Sequence, residues 1–166
     1  MEYKASRDTL CKGITLAVVI IELAVIIMLF LQNSNAALNM TRTGVIIFII
    51  PLIFFCYIYA PQSYSLYKDE LIINRPVKNK TIKIADITET RLVAPSDFLG
   101  TIRTFGVGGL FGYYGKYYNS KLGSMTWYVT QRKNRILIAT ADGKKIVLSP
   151  DDINMVDALQ SRIMRA

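Results

Sequence analysis

Few side chains in this 166-residue sequence are equipped for catalysis. It contains no histidine, so the group that most readily exchanges a proton near neutrality is missing both as a base and as a metal ligand. The two cysteines, Cys11 and Cys56, have no histidine to activate them and lack the spacing of a metal set. Gly106, Gly108 and Gly112 miss the dinucleotide fingerprint, because Phe111 stands where its third glycine belongs. A Gly-Lys-Ser/Thr phosphate loop is absent as well. The expectation is a protein that is not an enzyme, with no catalytic residue, no metal and no cofactor.

The sharpest single residue is Glu22, the one charge within the apolar runs 13–32 and 44–60. A carboxylate in the middle of a membrane helix is costly and is usually protonated or paired. Counting inward from the shared end of the two runs places Glu22 level with Pro51. Pro51 has no N–H, so the carbonyl of Ile47 loses its helical partner. A protonated Glu22 is expected to donate to that carbonyl, or to a second protomer, and so lock helix packing. The other reading makes Glu22 part of an intramembrane ion or proton pathway.

A second constellation runs from Phe98 to Tyr118. Phe105, Phe111, Tyr113, Tyr114 and Tyr117 stand there among Gly106, Gly108, Gly109, Gly112 and Gly115. As a loop, this stretch would rest on lipid headgroups or dock a partner, since tyrosine joins an apolar ring to a polar tip. Folded inward, the same rings would be core. The third feature is charge. Residues 61–166 carry sixteen Lys and Arg against nine Asp and Glu. Lys78, Lys80 and Lys83 form one group, and Arg132, Lys133 and Arg135 another. Near an anionic leaflet each base contributes on the order of 1 kcal/mol, which makes both groups candidate contacts with anionic lipid. Plain topological orientation accounts for the same surplus. Nucleic acid is not an expected partner, because the bases are scattered over strands and turns.

The elements that must position these residues begin with the apolar runs. A hydrocarbon core about 30 Å thick needs roughly 20 apolar residues at about 1.5 Å rise. Residues 13–32 meet this, and residues 44–60 lie at the lower bound. Nothing in so short a chain could cover two helices that are apolar on every side. A cleaved leader at Ser34-Asn35-Ala36 is the rival for the first run, but its apolar region would be too long and would contain Glu22. An uncleaved two-helix anchor, residues 1–62, is the expectation. Lys4, Arg7 and Lys12 precede the first run, and Lys68, Arg75, Lys78 and Lys80 follow the second. The loop from Asn33 to Thr43 has only Arg42. Positive residues stay inside, so both termini are expected on the cytoplasmic side of the membrane. Tyr57 and Tyr59 fall at the interfacial belt. Cys11 and Cys56, at different depths on the reducing side, read as packing residues rather than a disulfide.

From residue 63 to 166 the texture is that of short strands with turn punctuation. Tyr64–Tyr67 and Glu70–Asn74 flank Lys68-Asp69 as a hairpin. Thr81–Ile84 and Ile87–Val93 follow, and after a long middle segment come Trp127–Thr130, Arg135–Thr140 and Lys145–Leu148. Asp142-Gly143 reads as a two-residue type I′ turn. Ser149 as N-cap, Pro150 at the first position and Asp151-Asp152 announce a final helix. Its apolar stripe is Ile153, Val156, Leu159 and Ile163.

The hairpin YSLYKDELIINR, the stretch FGVGGLFGYYGKYY and the run WYVTQRKNRILIATADGKKIVLSPDD with its helix resemble bacterial pleckstrin-homology-like (PH) domains. Members preceded by two membrane helices are included in that likeness, which covers roughly residues 63–164. The resemblance implies a membrane-anchored α+β protein. Its domain would be a bent seven-stranded antiparallel sheet, or partial barrel, capped by the C-terminal helix. Eukaryotic relatives grip phosphoinositides with basic residues around the first hairpin. Here that turn is Lys68-Asp69-Glu70, with two acids for one base. The functional expectation is therefore a membrane-bound module for a protein partner or its own copies. An anionic-lipid surface sensor is the alternative.

Overall fold

The computed structural model describes residues 1–32 and 35–165. Asn33 and Ser34, which belong to the expected outer loop and its possible cleavage site, lie outside the described residues. Helix α1 spans Thr9–Leu31, four residues earlier than the apolar run alone indicates. Asp8 sets that start, since its carboxylate accepts the Cys11 N–H at 2.8 Å as an N-cap. The far end of α1 is closed by Arg42, which donates to the carbonyls of Leu29 at 2.7 Å and Gln32 at 2.8 Å. Those carbonyls have no partner inside α1.

Most of the expected outer loop is helical. Helix α2 covers Ala36–Gly44, a π-helical turn covers Val45–Ile49, and α3 covers Ile50–Ile58. Asn39–Ile58 thus forms one 20-residue helical stretch, longer than the predicted 44–60 at its start and shorter at its end. It and Thr9–Leu31 are both long and apolar enough to cross a membrane, and the rest of the chain covers neither of them.

The β-rich part holds ten strands in two sheets rather than seven in one. In the first sheet β1 (Glu2–Lys4), β2 (Ser63–Leu66), β3 (Glu70–Asn74) and β4 (Lys80–Lys83) pair antiparallel in chain order. The second sheet contains β5 (Ile87–Leu92), β6 (Ile102–Gly108), β7 (Tyr113–Asn119), β8 (Gly123–Val129), β9 (Ile136–Thr140) and β10 (Lys145–Leu148). Its order is β5-β9-β10-β8-β7-β6. The sheet is not wholly antiparallel as expected, because the β9–β10 hairpin folds back with β10 inside and β10 runs parallel to β8. The turn of that hairpin also differs from type I′. Within residues 140–144 only Gly143 has positive φ, at 76°, and its N–H donates to the Thr140 carbonyl at 2.8 Å. A type I′ turn needs two such residues.

Alternation along β9 and β10 sends side chains into two cores. Ile136, Ile138, Ile146 and Leu148 face the first sheet together with Tyr64, Leu66, Leu71 and Ile73. Leu137 and Val147 face the opposite way, onto Phe98, Tyr117, Met125 and Trp127. A strand buried on both faces reads as a continuous apolar run, which is what ILIA at 136–139 and IVL at 146–148 are. Helix α4 begins later than predicted, at Met155, and ends at Ile163. Ser149 is not its cap. The sheet takes that side chain, whose Oγ accepts the Thr130 N–H at 2.8 Å while its own N–H donates to Tyr64 Oη at 3.1 Å. Met155 and Leu159 are the buried residues of α4, and Ile153 lies before the helix and half exposed.

Candidate functional site

The Gly/aromatic stretch is a hairpin, β6–β7, and not a loop. Glycines hide its alternation in the sequence. Gly106 and Gly115 face each other with φ of 118° and 124°, and a Cβ on either would sit 2.3 Å from the opposing backbone. Only glycine permits that approach.

The turn of this hairpin lands on the base of α1. The Phe111 N–H donates to Thr15 Oγ1 at 2.9 Å, and Ile14 packs on Gly109. Phe111 itself has φ of 59°, a conformation costing about 1–3 kcal/mol in a residue with a side chain. Its ring meets Tyr57 of α3 edge-on at 5.4 Å and lies under the Arg7 guanidinium at 5.6 Å. Tyr114 Oη donates to the Cys56 carbonyl. Tyr113 Oη donates to Asp8 at 3.0 Å. Three of the five aromatics singled out in the sequence therefore fasten the domain to the bases of both long helices. Tyr117 belongs to the core, stacked on Trp127 at 4.2 Å, and burial pushes its phenol up to about 12. Phe105 is the exception, 78% exposed on β6.

Asp8 is the hub of this clasp, and the sequence reading missed it. Burial would raise its carboxyl, but the Cys11 N–H, Tyr113 Oη and Arg132 donate to it together and hold it below the ordinary carboxylate value. Its place just ahead of Thr-Leu at the start of an apolar run is an N-cap signature that the sequence did carry. The N-terminal tail joins the same region. Strand β1 pairs with β2, and Tyr3 and Ala5 enter the first core, so residues 2–5 belong to the domain rather than to an anchor ending at 62.

The two basic groups are not brought together as one surface. Arg132 is paired with Asp8 at 3.2 Å. Arg135 is 7% exposed, with its guanidinium 3.9 Å from the Phe98 ring centroid and 5.6 Å from that of Trp127. Burial lowers its pKa to about 10, and it is core rather than a lipid contact. Lys78, Lys80, Lys83 and Lys133 remain exposed. Glu22 and Pro51 are likewise not joined. Glu22 is half exposed on α1 and, among the described residues, has no hydrogen-bond or ion-pair partner. The backbone instead accommodates Pro51 with the π-turn just ahead of it, where the Ile50 N–H reaches back to the Val45 carbonyl.

Two of the open surfaces are apolar. Strand β6 is the edge of the second sheet, and six of its seven residues are exposed, including Ile102 and Phe105. Between α3 and the outer face of β6–β8 runs an apolar groove of about 640 Å³. Leu52, Phe55 and Tyr59 form one wall, and Val107, Tyr114 and Tyr128 the other. Arg75 and Lys116 stand at its margin.

A domain of two β-sheets closed by a C-terminal helix, joined to two long apolar helices, defines the class. The chain belongs to the bacterial PH domain family, whose profile matches residues 62–163. No curated protein and no solved structure matches the chain. The matched range omits β1, the strand that the structure adds from ahead of α1.

Proposed function

We propose that this protein is a two-span membrane protein and not an enzyme. Its PH domain is held against the cytoplasmic face of a bacterial inner membrane as a docking module for a protein partner or a second copy of itself. Two uncovered apolar helices support the spans. The pairing of β1 with β2 supports a common side for the N-terminal tail and the domain, as the distribution of Lys and Arg does. A removed leader would take a core strand with it.

The observation that carries docking is the β6 edge. An exposed edge strand with outward Ile102 and Phe105 offers unpaired backbone groups to another strand, and soluble proteins usually blunt or cover such edges. Solubilisation in mild detergent, followed by cross-linking and size measurement, tests this. The wild-type chain is expected to run with a partner or as an oligomer, and Ile102→Lys with Phe105→Lys to run as the bare monomer. A wild-type chain that is monomeric and partner-free at native abundance would defeat the reading.

A further inference from the structure

The groove between α3 and the sheet has a composition that selects its occupant. Its walls are apolar, yet Arg75 and Lys116 lie on it, and among the described residues no Asp or Glu lines it. Neither base has an ion-pair partner among those residues. The Arg75 guanidinium lies 5.6 Å from the Tyr59 ring and 5.8 Å from that of Tyr128. One of its nitrogens donates to the Lys78 carbonyl, while Nε is buried without a hydrogen-bond partner. A buried charged donor left unsatisfied is costly, so the guanidinium as a whole gains from an acceptor at its outer nitrogens. Lys116 Nζ donates to Thr126 Oγ1 at 2.8 Å, which leaves ammonium protons for a ligand.

The apolar part of the groove runs in the right direction. Leu52 lies six residues before the end of α3 at Ile58, roughly 9 Å up the helix and into the bilayer on the two-span reading. On the sheet side, Gly106 and Gly115 line the groove without side chains, beside the exposed ring of Phe105. Arg75 sits at the end of α3, beside Tyr59, and Lys116 lines the same groove further along β7. An apolar groove along α3 that carries two unneutralised bases and no acid fits a molecule joining an anionic group to an apolar chain.

We propose that this groove binds one anionic glycerophospholipid from the surrounding leaflet. An acyl chain lies along Leu52 and Phe55 over Gly106 and Gly115, and the phosphate is held by Arg75 and Lys116. The site is separate from the Lys68-Asp69-Glu70 turn, where the acids oppose an anion. It rests on the reading that Asn39–Ile58 spans the membrane.

The test uses full-length protein purified in mild detergent, exchanged into phosphatidylcholine and titrated with phosphatidylglycerol. Bound lipid is counted by native mass spectrometry. The wild type is expected to retain one phosphatidylglycerol through detergent washing. Arg75→Gln with Lys116→Gln should weaken retention by about tenfold or more, Arg75→Lys should restore part of it, and the exposed pair Lys83→Gln with Lys133→Gln should leave it unchanged. Equal retention by the double variant and the wild type would overturn the site. Equal occupancy by phosphatidylcholine would do so too, as would displacement of the lipid by millimolar glycerol phosphate, which would make a free anion the ligand. Carbonate extraction of wild-type membranes separates the two failures. A chain that stays in the pellet but holds no lipid refutes the groove alone, whereas a chain released into the supernatant refutes the spans and the site together.

Discussion

At the scale of single residues, the side chains that matter most here are those joining the domain to the helices. Asp8 caps α1, accepts from Tyr113 and pairs with Arg132, so one carboxylate ties the long apolar helix to β7 and to the turn after β8. Because its carboxyl is held below the ordinary value in the folded chain, the unfolded chain takes up that proton at higher pH. Asp8 therefore stabilises the fold above the unfolded pKa of about 3.9, and this stabilisation is lost as pH falls through the lower, folded value. Tm in detergent should stay level from pH 7 to about pH 5 and fall below about pH 4. Asp8→Asn should start lower and fall less steeply, and an Asn variant with the wild-type acid profile would remove Asp8 from this role. Arg135 teaches the converse. A base that looked available for lipid lies over Phe98 and Trp127 inside the second core.

Among elements, β1 is the one whose role is least expected from its length. It has three residues, yet it covers the β2 edge and brings Tyr3 and Ala5 into the first core. An isolated domain cut at residue 62 would expose that edge. It is expected to aggregate, or to melt below a soluble chain in which residues 1–8 are joined through a Gly/Ser linker to residue 61. Calorimetry of the two proteins decides the matter, and equal Tm values would make β1 dispensable. Replacing Tyr3 by Asp in the full chain should be as damaging as the deletion, because it places a carboxylate among Tyr64, Leu66 and Met155.

For the whole molecule, the two apolar helices and the domain act as one clasped body, not as a domain on a tether. Fasteners run from β6–β7 to both helix bases, and the β3–β4 turn adds another, with the Val77 N–H donating to the Ile58 carbonyl at 3.2 Å. The domain then holds one fixed face toward the two helices, which is what the proposed docking platform and the proposed lipid groove beside α3 both require. With Cys11 and Cys56 replaced by serine, a cysteine at Met40 should react with an impermeant maleimide in intact cells. A cysteine at Met164 should react only after permeabilisation. The opposite pattern would invert the topology.

The sequence by itself determined the apolar runs, the family and the course of most strands. Each rests on local signals: unbroken apolar length, alternation, and turn residues such as Asp142-Gly143. It also determined that β9 and β10 would flank Asp142-Gly143 as a hairpin, though not that β10 would lie between β8 and β9. What only the tertiary structure decided is long-range. Strand β1 is too short to announce itself, β6 and β7 are disguised by glycines whose purpose is a backbone contact across the pair, and Ser149 is taken from its helix by Thr130. Arg75 and Lys116 lie 41 positions apart and share a groove only because β3 ends beside α3 while β7 packs across it. Alternation and capping act over a few residues, whereas a site is made by which distant segments fold together, and no local pattern encodes that.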